Sequence, residues 1–240
     1  MVRKKMNIYL DLDETLVHSI DIRYRKFISI EIEKFKNYNF ENIYIILERP
    51  GLQKFLDWLF EHFTVSIWSA ASSDYVNFIK KNIIESPTRK IERTLHSKHC
   101  DKSQYYYGDD HIKKLNMLWE ILNLPDHDIT NTILLDDLCM NLRSQPKNCI
   151  RIKKFLGSPD DNELEKVKKK LKDVLTNFKQ KKDLKSPIRK KVQKNIRVDM
   201  MAQKTESDGG KQVSMKEHQS GTMIRSYQSA KVDKKQTAVI

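Results

Sequence analysis

The sequence predicts a Rossmann-like α/β protein: a central parallel sheet, a small β flap and a disordered basic tail. Three observations lead there. Short apolar runs alternate with stretches of helical periodicity, the pattern of strand–helix–strand units. Carboxylates stand at the ends of two such runs, Asp11-Leu12-Asp13 and Asp136-Asp137. Charge is also unevenly spread. The 240 residues carry 45 Lys and Arg against 32 Asp and Glu, a net +13. Residues 179–240 hold 16 of the basic and 6 of the acidic groups, leaving 29 against 26 in residues 1–178. A near-neutral domain with a cationic appendage fits better than a surface made for nucleic acid throughout. Tyr227 is the only aromatic residue after Phe178, too little apolar surface to offset chain entropy. The expected domains are therefore 1–178, folded, and 179–240, a basic disordered tail.

The elements follow in order. Residues 6–13 read as the first strand, with Met6, Ile8, Leu10 and Leu12 interleaved with Asn7, Tyr9 and Asp11. Residues 14–26 are a polar exit. Residues 27–32 and 42–47 alternate with period two around a polar, Asn-rich segment, predicting a hairpin flap. The flap is too small to be a cap domain, so a site beneath it would be open. Arg49-Pro50-Gly51 punctuates the chain, and Leu52, Phe55, Leu56, Leu59, Phe60 and Phe63 share a helical face. Residues 64–68 form a strand ending in Ser69 and further small residues, followed by a helix through Tyr75, Phe78, Ile79 and Ile83. Residues 85–110 read as short strands or a loop. Residues 112–122 read as a helix with Lys113 near its start, 131–135 as a strand ending in Asp136-Asp137, 149–152 as a last core strand and 163–178 as a terminal helix.

In an open parallel sheet, ligands bind beyond the carboxyl ends of the strands. Asp11/Asp13, Ser69, Lys113 and Asp136/Asp137 can converge there. Close carboxylates repel unless a cation or a shared proton relieves them. A hard divalent cation such as Mg2+ suits them, while a hydroxyl and an ammonium can hold a phosphoryl group. An aspartyl nucleophile beside a carboxyl general acid is the chemistry this suggests. His96, His99 and Cys100 lack a fourth zinc ligand nearby and read as structural, and the residues after Cys100 form no phosphate-cradling loop.

The run Asp11-Leu12-Asp13-Glu14-Thr15-Leu16-Val17-His18-Ser19 resembles the first motif of the Fcp/small C-terminal-domain phosphatase (NLI-interacting-factor-like) family of the haloacid dehalogenase superfamily. Arg49-Pro50-Gly51-Leu52, Trp68-Ser69-Ala70, His99-Cys100, Ile112-Lys113-Lys114-Leu115, Leu135-Asp136-Asp137, Gln145 to Ile150 and Asp160 to Leu164 are similar to its later segments, so the likeness covers roughly residues 6–178. It implies the haloacid dehalogenase fold and Mg2+-dependent dephosphorylation of phosphoserine or phosphothreonine, with the C-terminal domain of RNA polymerase II as a candidate substrate. Asp11 would attack phosphorus, Asp13 act as acid and base, and Thr15 hold Asp13. Asp11, the Asp13 carbonyl and Asp137 would hold the metal with Asp136 beside them, and Ser69 and Lys113 would bind phosphate. Two departures stand out. Asp137 replaces the family's usual Asn, and Ser97 falls where the family has an Arg, with Lys98 and Arg93 as substitutes. Alternatives are a phosphatase for nucleic-acid ends and a non-catalytic phosphopeptide-binding relative.

Three cysteines without repeated spacing speak against a disulfide scaffold and for a reducing compartment. Arg3-Lys4-Lys5 is followed only by a short apolar run broken by Asp11, neither a secretory signal nor a membrane span. A soluble intracellular monomer, nuclear or cytoplasmic, is expected. Lys181-Lys182, Arg189-Lys190-Lys191 and Lys194 make the tail either a solubilising appendage or a contact for acidic partners or nucleic acid, and Ser186-Pro187 offers a phosphorylation site within it.

Overall fold

Strand β1 (Met6–Leu10) is buried at every position and lies in the middle of a five-stranded sheet. The computed structural model describes residues 5–178; the expected basic tail and its patches lie outside the described residues. β1 pairs in parallel with β5 (Phe63–Trp68) on one side and β7 (Thr132–Asp136) on the other. β6 (Thr94–Leu95) and β8 (Cys149–Arg151) complete the order β6-β5-β1-β7-β8, every pairing parallel. Parallel neighbours need crossovers, which explains why helices follow the strands.

The pleat sorts side chains between two cores. Ile8, Leu10, Val65, Ile67, Ile133 and Leu135 pack with α1 (Leu52–His62), α2 (Ser73–Ile79) and the terminal helix α6 (residues 163–178). Tyr9, Trp68 and Leu134 pack on Leu95, Cys100, Leu115, Met117 and Leu118. Each large apolar side chain removed from water contributes about 1.5–3 kcal/mol, so a strand buried on both faces can hold a polar site at its end.

Several expected elements differ. β1 stops at Leu10, because the chain from Asp11 turns: the Thr15, Leu16 and Val17 N–H groups all donate to the Leu12 carbonyl. The flap is a three-stranded antiparallel sheet, β2 (Val17–Asp21), β3 (Asn37–Phe40) and β4 (Tyr44–Glu48), in the order β2-β4-β3. The period-two run at 27–32 is not a strand. It lies between two 3-10 turns, Ile22–Phe27 and Ile32–Lys34, and Phe27 is 83% exposed. The hairpin instead turns at Glu41 and Asn42, both with positive φ (51° and 54°), as a tight two-residue turn requires. The Asn39 side chain caps this turn by accepting from Asn42 N–H at 2.8 Å.

The 85–110 segment contains a helix, α3 (Ser97–Tyr107), started by a reciprocal cap in which the His96 N–H donates to His99 Nδ1 at 3.2 Å. The expected 112–122 helix shrinks to α4 (Asn116–Glu120), so Lys113 lies in the loop before it. A short helix α5 (Cys139–Ser144) follows β7. No described helix is long and apolar enough to cross a membrane.

Candidate functional site

Strand register builds the site. Leu10 lies opposite Ile67 of β5 and Leu135 of β7, so the residues just beyond these strands share one edge of the sheet. Asp11 continues the pairing for one step, donating its N–H to the Leu135 carbonyl at 3.0 Å. The chain then turns through Glu14, a non-glycine residue with φ 54°, which brings Thr15 back under Asp11. The Thr15 hydroxyl donates to Asp11 Oδ2 at 3.0 Å. Thr15 therefore holds Asp11 rather than Asp13, a correction to its expected role.

The buried Lys113 ammonium donates to Asp11 Oδ1 and, at 2.8 Å, to Asp136 Oδ2. Asp136 Oδ1 accepts from the Leu138 N–H at 2.8 Å, which fixes the turn out of β7. Lys113 reaches this position from a loop held by its neighbours: Gln145 Nε2 donates to the Lys113 carbonyl at 2.7 Å, and the Lys114 N–H donates to the Ser103 hydroxyl at 2.9 Å. Asp11, Asp136 and Asp137 offer carboxylate oxygens that all lie within 4.8 Å of one another.

Three buried carboxylates around one buried ammonium leave negative charge in excess. Burial, opposed by Lys113 and reinforced by Asp136, pushes the Asp11 pKa up to about 7. Burial also works against the charge on Lys113, but Asp11 and Asp136 outweigh it and raise its pKa. Asp137 Oδ2 is buried and accepts no hydrogen bond; Lys154 Nζ stands 3.2 Å away in ion-pair contact. An orphaned carboxylate oxygen beside two others is the donor set of a hard divalent cation, and these residues fit one.

Asp13 sits apart from this triad. Its Oδ1 accepts from the Tyr75 hydroxyl at 2.5 Å, and Tyr75 is in turn hydrogen-bonded to Ser19. Burial raises the Asp13 pKa, while these hydroxyls pull the other way. Sequence reading counted Tyr75 as one more apolar residue on the α2 face and gave Ser19 no role beyond its place in the first motif. The only signal was a hydroxyl on each. Ser69 stands one residue past β5, fully buried, its hydroxyl accepting from the Ala71 N–H at 3.1 Å. The N-cap of α2 is Ser72, whose side chain accepts from the Tyr75 N–H at 3.4 Å.

Arg49 is a second buried cation, which the sequence marks as punctuation and as part of a family-like segment but not as an ion-pair partner. It is 1% exposed, and its Nε and Nη2 grip Asp161 at 2.7 and 2.8 Å. Its Nη1 donates to the Thr15 carbonyl at 2.8 Å and Nη2 to the Lys153 carbonyl at 2.7 Å. Cys100 packs in the second core, where burial pushes its thiol up to about 11 and disfavours the thiolate.

Comparison with known proteins agrees with this architecture. The profile of the NLI interacting factor-like phosphatase family matches residues 6–185. The CTD phosphatase-like protein 355R of Invertebrate iridescent virus 6 is 40% identical over 175 residues, covering 70% of this chain and 96% of that protein. Its counterpart in Invertebrate iridescent virus 3 is 38% identical over 183 residues, with the same coverages of 70% and 96%. Among solved structures, Fcp1, an essential RNA polymerase II CTD phosphatase, aligns with 73% of this chain and 49% of its own, at 20% identity and a TM-score of 0.45. This chain is a member of the NLI interacting factor-like phosphatase family.

Proposed function

We propose that the chain is a Mg2+-dependent phosphoprotein phosphatase that cleaves phosphoserine or phosphothreonine through an aspartyl-phosphate on Asp11. The observation that carries this reading is the setting of Asp11: one oxygen accepts from Thr15, the other from Lys113, inside a triad of carboxylates. Asp11 attacks phosphorus and the bond from phosphorus to the serine oxygen breaks. Asp13, oriented by Tyr75 and with its pKa raised by burial, gives a proton to the departing alkoxide. Asp13 then takes a proton from the water that attacks the phosphorus of the acyl phosphate. Inorganic phosphate leaves and Asp11 is regenerated, so one difficult displacement becomes two easier ones. Lys113 and the Ser69 hydroxyl balance the phosphoryl oxygens as they rearrange. Asp11, the Asp13 carbonyl and Asp137, with Asp136 alongside, would hold a divalent cation, which would supply charge screening between carboxylate and phosphate.

Two things support the substrate class: a flap of only three strands in place of a cap domain, and relatives that are CTD phosphatase-like proteins. Both favour a phosphorylated protein segment such as the C-terminal domain of RNA polymerase II. The test is hydrolysis of phosphoserine peptides with and without Mg2+, beside a 5′-phosphorylated DNA end and the Asp11→Asn variant. The expected outcome is Mg2+-dependent peptide turnover that falls by about a thousandfold or more in the variant, as for other residues acting as one unit. Equal rates for the two proteins would end the reading, and preference for the DNA end would move it to another substrate class.

A further inference from the structure

Among the described residues, the cations in ion-pair contact with the acidic triad are Lys113 and Lys154. They differ in every physical respect. Lys113 is buried, shared between two carboxylates and fixed by its loop. The Lys154 side chain is 51% exposed and comes from the segment after β8, reaching inward to a single oxygen, Asp137 Oδ2, at 3.2 Å. That contact lacks the alignment of a hydrogen bond, so Asp137 Oδ2 is neutralised without being satisfied. Contact with Asp137, followed by the charges of Glu14 and Asp11, raises the Lys154 pKa, so the ammonium feels carboxylates beyond its own partner. Lys98 and Arg93, the cations that the resemblance offered near Ser97, make no ion pair with the triad; Arg93 lies 3.8 Å from Glu92 instead.

We propose that Lys154 is an exchangeable counter-ion of Asp137: its ammonium holds Asp137 Oδ2 while the metal position is empty, is displaced when a divalent cation takes that oxygen, and then serves the incoming phosphoryl group. This rests on the reading of the triad as a metal site. The physical basis is that one carboxylate oxygen cannot be fully shared between an ammonium and a divalent cation. A long, solvated lysine side chain can also swing outward at little cost. The device depends on a carboxylate at position 137, because a neutral amide there would need no counter-ion.

The experiment is Mg2+ titration by calorimetry on the full chain, in wild type, Lys154→Met, Asp137→Asn and the double variant, followed by inorganic phosphate titration at saturating Mg2+. Lys154→Met should bind Mg2+ about three- to tenfold more tightly, and that gain should vanish in the Asp137→Asn background, the signature of a direct coupling. With Mg2+ saturating, phosphate should bind Lys154→Met several-fold more weakly than wild type. Unchanged or weaker Mg2+ binding in Lys154→Met, or an equal gain without Asp137, would overturn the role of Lys154. Absence of Mg2+ binding in wild type would instead overturn the metal site itself. Circular dichroism of each variant confirms the fold, and an exposed lysine leaves little reason for it to change.

Discussion

Two buried ion clusters grip the same loop, and their balance is opposite. Arg49 meets one carboxylate in a bidentate pair and two carbonyls, so each of its guanidinium nitrogens donates. Lys113 faces two carboxylates with a third close by, and one oxygen of that third accepts no hydrogen bond. Thr15 belongs to both, with its carbonyl on Arg49 and its hydroxyl on Asp11. The satisfied cluster anchors the loop. The unsatisfied cluster leaves a carboxylate oxygen open, which is where the proposed cation and phosphoryl group would act. A buried charge pair is scaffold when its hydrogen bonds close, and a candidate for chemistry when they do not.

The contrast breaks most directly at Arg49. Arg49→Met leaves the half-buried Asp161 carboxylate without its partner and cuts the loop from the Lys153 carbonyl. We expect a loss of about 3–5 kcal/mol in denaturant unfolding. A loss below about 1 kcal/mol would mean that Arg49 is not the anchor. The effect at Tyr75 should fall on rate instead. Tyr75→Phe removes one hydrogen bond to a carboxylate, so kcat on a phosphopeptide should drop roughly 10- to 100-fold with little change in Tm. An unchanged kcat would free Asp13 from its assigned orientation. The smallest effect is in acid. Burial works to raise the Asp161 pKa, but the Arg49 guanidinium and the Glu163 N–H hold it below the ordinary range. Its contribution is then fully present above an ordinary aspartate pKa of about 3.9 and is lost as pH falls through the lower folded value. Urea midpoints below about pH 4 should therefore fall more steeply with acid in wild type than in Asp161→Asn.

The parts of the site that were legible in the sequence are those where a polar residue interrupts or ends an apolar run. Asp11 and Asp136 stand directly at the ends of buried strands, so their side chains had nowhere to go but the sheet edge. Lys113 reaches Asp11 and Asp136 from a loop and not from the expected helix, because the apolar spacing from Ile112 suggested a helix that starts only at Asn116. Tyr75 was not legible as a partner of Asp13, since an aromatic ring at helical spacing looks the same whether its hydroxyl is used or not. The Arg49–Asp161 pair spans 112 residues, a distance that no local pattern encodes. α3 escaped for a different reason: only Cys100 and Ser103 are buried along its length, so it carries almost no apolar stripe. β2 was masked by its polar residues, and the 27–32 alternation misled because period two alone does not supply a strand with a partner.

The difference between the clusters is tested most directly by thermal melting of the wild-type chain against Mg2+. An incomplete acidic triad predicts a Tm that climbs with Mg2+, with a stabilisation approaching about 2.7 kcal/mol once the free ion is about a hundredfold above its Kd. Arg49→Met should start from a lower Tm and show the same climb, since its defect lies in the other cluster. A wild-type Tm indifferent to millimolar Mg2+ would contradict the account, because the three carboxylates would then be balanced as they stand.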